Sequence, residues 1–369
     1  MASDAPGFAI LGAGIFAKEA HLPAIASLAG SNISPVLKAV YSRSEKSALD
    51  LAAAANNTLK LATPPSIYHD GDPSTDLDAL LARSDIRAVI VVLPITTQPS
   101  IVLKALAASK HVLSEKPIAA DVAGAIELIR KYESEYKPKG LVWRVAENYE
   151  TEPIYQRAAQ AIRDGKIGKV LFFKARVTNY MDKDSKWYKT PWRTVPDYQG
   201  GFLLDGGVHF AAALRIMLPS PLTHLSAFTS LSKAHLAPKD TIHAIAKSAH
   251  DGAHGLFEVT FAAPSNEYTP GNGYTITGST GWLTVGAAAV EEGKKQAMQL
   301  VLHNERGEGE VIVEESTGVS DEVRSFFGAV IGNDDEKQNP RSALRDLAFI
   351  QAALNSEGSL VDLEALSKI

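Results

Sequence analysis

Apolar positions along this chain change rhythm near its middle. In the first part, short apolar runs recur at Phe8–Gly12, Leu37–Tyr41 and Ala88–Leu93, separated by stretches with helical spacing. Strands alternating with helices predict a parallel sheet. The run Ala88–Leu93 is apolar at every position, the pattern of a strand covered on both faces, and is expected near the sheet centre. A helix over Pro99–Ser109, a strand at His111–Leu113, a helix over Ala120–Glu135 and a strand at Gly140–Trp143 complete a doubly wound unit ending near residue 146.

Beyond it, Pro153–Gly165 reads as a helix, and Val170–Thr178 alternates like a strand with one solvated face. Between Leu222 and Val313 runs of β-branched and aromatic residues are broken by glycine: Gly255–Phe261, Tyr274–Gly278, Trp282–Val285, Gln299–Leu302 and Glu310–Val313. They predict one open, mostly antiparallel sheet. A last helix, Ser342–Leu354, is expected to return toward the first unit. The expected fold is α/β: a dinucleotide-binding domain over 1–146 and a substrate-binding, oligomerising α+β domain over 147–369. An open sheet leaves an apolar face to cover, which predicts a homo-oligomer, a dimer or tetramer.

Composition narrows the chemistry. The net charge of −5 is spread over 37 basic and 42 acidic residues, so no basic stripe suits nucleic acid or an anionic membrane. With no cysteine, thiolate nucleophiles, disulfides and cysteine-ligated zinc drop out. Redox chemistry must then be borrowed from a cofactor. Met1–Gly7 lacks a basic leader, and no apolar run approaches the roughly 20 residues of a membrane helix, so a soluble, cytoplasmic protein is expected. Ser367-Lys368-Ile369 stands one conservative change from the peroxisomal Ser-Lys-Leu; chance is the leading reading and a peroxisomal address the alternative. The histidines show no compact ligand spacing, and His250 and His254 flank a turn at Asp251-Gly252, so no metal is expected.

Gly12-Ala13-Gly14-Ile15-Phe16-Ala17 directly follows the first strand and opens a helix, the setting that gives a GxGxxG/A pattern its meaning. Gly12 makes the turn, Gly14 admits a pyrophosphate to the backbone, and free N–H groups at the helix start favour negative charge. After the second strand, where NAD enzymes offer Asp or Glu to the ribose, the chain has Ser42-Arg43-Ser44. Arg43 can grip a 2′-phosphate that a carboxylate would repel, so NADP(H) is the expected cofactor.

Lys110-His-Val-Leu-Ser-Glu115-Lys116-Pro117 and Gly200-Gly201-Phe-Leu-Leu-Asp205-Gly-Gly-Val-His209 resemble signature blocks of the glucose-fructose oxidoreductase/inositol dehydrogenase (Gfo/Idh/MocA) enzymes. Glu147-Asn148-Tyr149, Gly165-Lys-Ile-Gly168 and Trp192-Arg193 extend the resemblance over most of the chain. It implies that Lys116, Asp205 and His209 form the catalytic group, and that Ile15, Phe16, Leu93, Pro94, Gln98, Glu115 and Lys116 itself border the cofactor. Gln98 stands where many members carry histidine, and Ala212 where many carry Asp or Asn. Chemistry favours the same catalytic set, since carbonyl reduction needs a proton donor and Lys and His serve near neutrality. Four apart, Asp205 and His209 share a face if their segment is helical, and Asp205 is expected to orient the imidazole. Tyr149, Trp192 and Arg193 are expected to line the substrate pocket. The function expected is hydride transfer between NADP(H) and a small carbonyl, alcohol or sugar-like substrate. The alternatives are a non-catalytic NADP sensor and an imine reductase.

Overall fold

The computed structural model describes residues 5–291, 293, 295–307 and 309–369, so most of the Met1–Gly7 segment read for a leader lies outside it. The first region forms β1 (Gly7–Leu11), β2 (Val36–Ser42), β3 (Ser66–His69), β4 (Ala88–Val91), β5 (His111–Glu115) and β6 (Trp143–Ala146). All six are parallel, in the order β3-β2-β1-β4-β5-β6. The all-apolar run is therefore central, as its pattern required. β3 has no counterpart in the sequence reading, because its four residues form a half-exposed edge strand without an apolar run. β6 begins at Trp143, where the expected strand ended. A turn of π pitch over Ala17–His21 leads into α1 (Leu22–Ala26), and α2 (Glu45–Leu59), α3 (Leu77–Leu81), α4 (Gln98–Ala107) and α5 (Val122–Lys131) complete this layer.

The second region begins with α6 (Pro153–Arg163), β7 (Val170–Thr178), α7 (Pro191–Thr194) and α8 (Gly201–Met217). There follow β8 (His224–Ser230), β9 (Thr241–Lys247), β10 (His254–Thr260), β11 (Gly273–Gly278), β12 (Gly281–Ala287), β13 (Ala297–Asn304) and β14 (Gly309–Glu315). With β15 (Val361–Asp362) they make one sheet, β14-β13-β12-β11-β7-β10-β9-β8-β15, in which only β7 and β10 pair in parallel. Its inner face buries Phe173, Phe257, Ile276, Leu283 and Leu300, while Phe172, Phe228, Ile245, Leu256 and Val311 stand exposed. The helix α10 (Pro340–Asn355) starts at an Asn339 cap and returns to the first layer, where the Val122 amide donates to Gln351 at 2.8 Å. After the short α11 (Leu363–Leu366) the final residues fold back: Ser367 donates to the Leu363 carbonyl at 2.7 Å, and Ile369 packs against the core.

One more helix, α9 (Gly318–Val330), crosses from the second sheet to the first. Val323, Phe326, Phe327 and Val330 share a core with Phe8, Ile10, Leu22 and Ile25, and Phe327 meets Phe8 edge-on at 5.1 Å. Val319, Val323, Phe326, Phe327 and Val330 give this helix its apolar spacing. The first sheet is thus covered on one face by residues more than three hundred positions from its first strand.

Candidate active site

Both layers open onto a cleft of about 670 Å³. Its floor is the switch point between β1 and β4, where strand order reverses and ligands of such sheets gather. Gly12 sits at φ +117°, and a Cβ there would lie 2.1 Å from the Val92 carbonyl oxygen, so only glycine makes this turn. A Cβ on Gly14 would meet nothing within 4 Å, which leaves its backbone open to a phosphate. Ala13, Gly14, Ile15 and Phe16 line one side, Leu93 and Pro94 the other, and Ser42, Arg43 and Ser47 the far end. These residues fit a dinucleotide.

At the near end, β5 delivers Lys116 and α8 delivers Asp205. Lys116 Nζ donates to Asp205 Oδ1 and to the Asp205 backbone oxygen, each at 2.9 Å. Arg193 Nε donates to Asp205 Oδ2 at 2.8 Å, and its guanidinium lies 4.1 Å from the Trp192 ring centre. Burial pushes the Asp205 carboxyl up, but Lys116 and Arg193 outweigh it and hold the group down at about 2. Asp205 therefore stays ionised, shared between two cations.

One turn further along α8, His209 faces the same cleft. Its Nδ1 lies 2.7 Å from Glu147 Oε1, and its ring stacks on Tyr149 at 4.8 Å. Burial raises the Glu147 carboxyl, yet His209 and Lys116 pull it below the ordinary value, so it is an acceptor and Nδ1 must donate. In the neutral ring Nε2 is then a lone-pair acceptor, and in the charged ring a donor.

Behind Lys116, His21 Nε2 pairs with Glu115 Oε1 at 2.7 Å. Glu322 of α9 completes a buried group whose ligand-type atoms fall within 4.8 Å of one another. Burial, with Glu115 and Glu147 nearby, raises the Glu322 carboxyl well above its ordinary value. Gln98 Nε2 donates to the carbonyls of Glu115 and Pro117, bracing the loop that carries Lys116, whose bond to Pro117 is cis.

The structure corrects four sequence expectations. Asp205 grips Lys116 and Arg193, and the imidazole of His209 is oriented by Glu147, because the two side chains on α8 reach partners from different loops. Gln98 is buried behind the cleft rather than lining it. Ser44 caps α2 by accepting from the Ser47 amide, and Ser47 takes the lining position expected of Ser44. Tyr149 lies behind His209, outside the cleft lining, while Trp192 and Arg193 are among the residues that border it. Glu147, His21 and Glu322 were not anticipated as part of the site. Glu147 stood within the Glu147-Asn148-Tyr149 block without a role, and nothing in the local sequence marks His21 or Glu322, which matter through neighbours brought by the fold.

A model described as the oxidoreductase family with an NAD-binding Rossmann fold matches residues 7–138, and one described as the GFO/IDH/MocA C-terminal domain matches 155–284. A dehydrogenase of Fusarium mangiferae, FPY6, is 39% identical over 362 residues, covering 95% of this chain and 96% of its own. The chain belongs to the Gfo/Idh/MocA oxidoreductases. Solved relatives of the family share its architecture: an oxidoreductase from Thermotoga maritima superposes with a TM-score of 0.80 at 27% identity, covering 98% of this chain and 99% of the other. A 3-ketoreductase from Actinomadura kijaniata, solved with NADP and TDP-benzene, gives 0.73 at 22% identity, covering 96% and 98%. The first model spans β1 to β5 of the parallel sheet, and the second runs from α6 into β12 of the open sheet.

Proposed function

We propose that this protein transfers a hydride between NADP(H) and a carbonyl or alcohol carbon of a small substrate, with Lys116 and His209 handling the proton. The observation that carries the reading is the convergence on one cleft of two proton-carrying side chains, each held by its own buried carboxylate. When bound, a nicotinamide cofactor supplies the hydride. Reduction also adds a proton to the carbonyl oxygen. Lys116 commits two N–H bonds to Asp205 and keeps a third for that oxygen. After giving the proton up, its amine stays anchored on Asp205, and the Nε2 of His209, without a partner among the described residues, is a second site for a proton in the same cleft.

Arg43 and the lack of a carboxylate at the end of β2 support NADP(H) over NAD(H), and the Actinomadura kijaniata 3-ketoreductase was solved with NADP. The exposed apolar face of the second sheet supports a homo-oligomer, a dimer or tetramer. The testing experiment is NADPH oxidation by the purified protein against aldehydes, ketones, sugars and imines, with an NADH control and Lys116→Ala. Turnover that prefers NADPH and needs Lys116 is expected. NADPH binding with no turnover of any compound would instead favour a cofactor sensor.

A further inference from the structure

The second domain's side of the cleft is walled by Met181, Trp187, Trp192, Phe202, Phe210 and Phe261. Its polar side chains are turned onto one another. Asp205 is saturated by Lys116 and Arg193, and Arg193 also places Nη1 3.3 Å from the Trp187 carbonyl oxygen. Thr190 donates to that same carbonyl at 3.3 Å. No asparagine or glutamine is among the described residues of the lining. What remains for a substrate is one N–H of Lys116, the Nε2 of His209 and the uncommitted N–H groups of Arg193, all gathered around Asp205 and one turn of α8, with aromatic surface around them.

We infer that the substrate is an apolar carbonyl compound, or the corresponding alcohol: one polar oxygen on an aromatic or aliphatic body, and not a polyhydroxylated sugar. This rests on the hydride-transfer reading above and goes beyond it. A sugar ring brings a hydroxyl on nearly every carbon, and each one buried against these walls loses its water without gaining a partner. An apolar body gains from the same contact, and the rings of Trp187 and Trp192 offer it flat surface. The loop bearing these tryptophans is fastened over the first domain by Lys186 on Glu19, by Thr96 donating to Asp197 at 3.1 Å, and by Trp187 edge-on to Phe16 at 6.3 Å.

The test compares kcat/KM with saturating NADPH for matched pairs on the full chain: cyclohexanone against its polyhydroxylated counterpart, and 3-phenylpropanal against glyceraldehyde. The hydrocarbon member of each pair should win by about 100-fold, the discrimination apolar walls typically exert against added hydroxyls. Binding without cofactor provides an independent reading. 3-Phenylpropanol should change the tryptophan emission of the wild type, Trp192→Ala should weaken that binding by about tenfold, and Trp192→Phe should restore most of it. Reduction of the hydroxylated members equally well or better would overturn the inference and leave the hydride reading standing. No reduction of any pair by a protein that binds NADPH would overturn both.

Discussion

The two sheets serve the site in different ways. The parallel sheet presents its ligand-facing residues at strand ends: Gly12 after β1, Leu93 after β4, and Lys116 after β5. The open sheet contributes little through its strands and instead carries α8, whose Phe202, Asp205, His209 and Phe210 recur on one helical face. In the first case, backbone geometry fixes the site and the sequence motif is local. In the second, side-chain partners fix it, and they come from wherever the fold brings them. Asp205 takes Lys116 from β5, and His209 takes Glu147 from the end of β6.

If the strand ends bind and α8 shapes the chemistry jointly with Lys116, the two contributions should separate by mutation. Lys116→Ala should lower kcat by about 10²–10⁴, the usual worth of a positioned acid or base, while NADPH affinity by fluorescence titration changes only a few-fold. Retained turnover would remove Lys116 from the mechanism. Phe327→Ala attacks the binding half from the other domain. Urea unfolding should show about 3–5 kcal/mol lost, the ordinary cost of deleting a buried phenyl. A loss under about 1 kcal/mol would mean that α9 merely rests on the first sheet. Arg43→Ala should weaken NADPH by about 1.5–3 kcal/mol, the range for hydrogen bonds to a charged group, and leave NADH almost untouched. Equal losses for both would sink the 2′-phosphate assignment.

Two buried acids sharpen the contrast through pH. Asp205 titrates below its ordinary value of 3.8, at about 2, so its contribution to stability is complete above 3.8 and disappears as pH falls through about 2, roughly 2 kcal/mol in all. Asp205→Asn should erase that acid limb. Glu322 is raised, so the unfolded chain releases its proton first and stability falls as pH climbs above 4.5. Glu322→Gln should therefore gain thermal stability relative to the wild type between pH 5 and pH 8. A gap constant with pH would show that Glu322 is already ionised in the fold.

Much of this was legible beforehand where the physics is local. The Gly12–Ala17 turn and the central strand β4 declare themselves within a few residues, whereas the pairing of the Lys116 block with the Asp205 block came from the family resemblance. β3 escaped because an edge strand needs no apolar run, and α9 escaped although its apolar spacing was present, because nothing local says which sheet it covers. The partners of Asp205 and His209 were misassigned for a related reason. A four-residue spacing establishes a shared face, but a buried carboxylate goes to the strongest cation within reach, and Lys116 arrives from eighty-nine positions away.

The crossing of α9 has a consequence for how the protein is made. A ribosome that has finished β6 has produced every strand of the nucleotide-binding sheet but not the helix that seals Phe8 and Ile10. That helix is complete only at Val330, roughly 180 residues and, at ~5–20 residues per second, about 10–40 s later. Through that interval the part of this face that α9 covers, around Phe8 and Ile10, waits beside α1 and α2 without its last layer, so the nascent chain carries exposed apolar surface while its second domain is being synthesised.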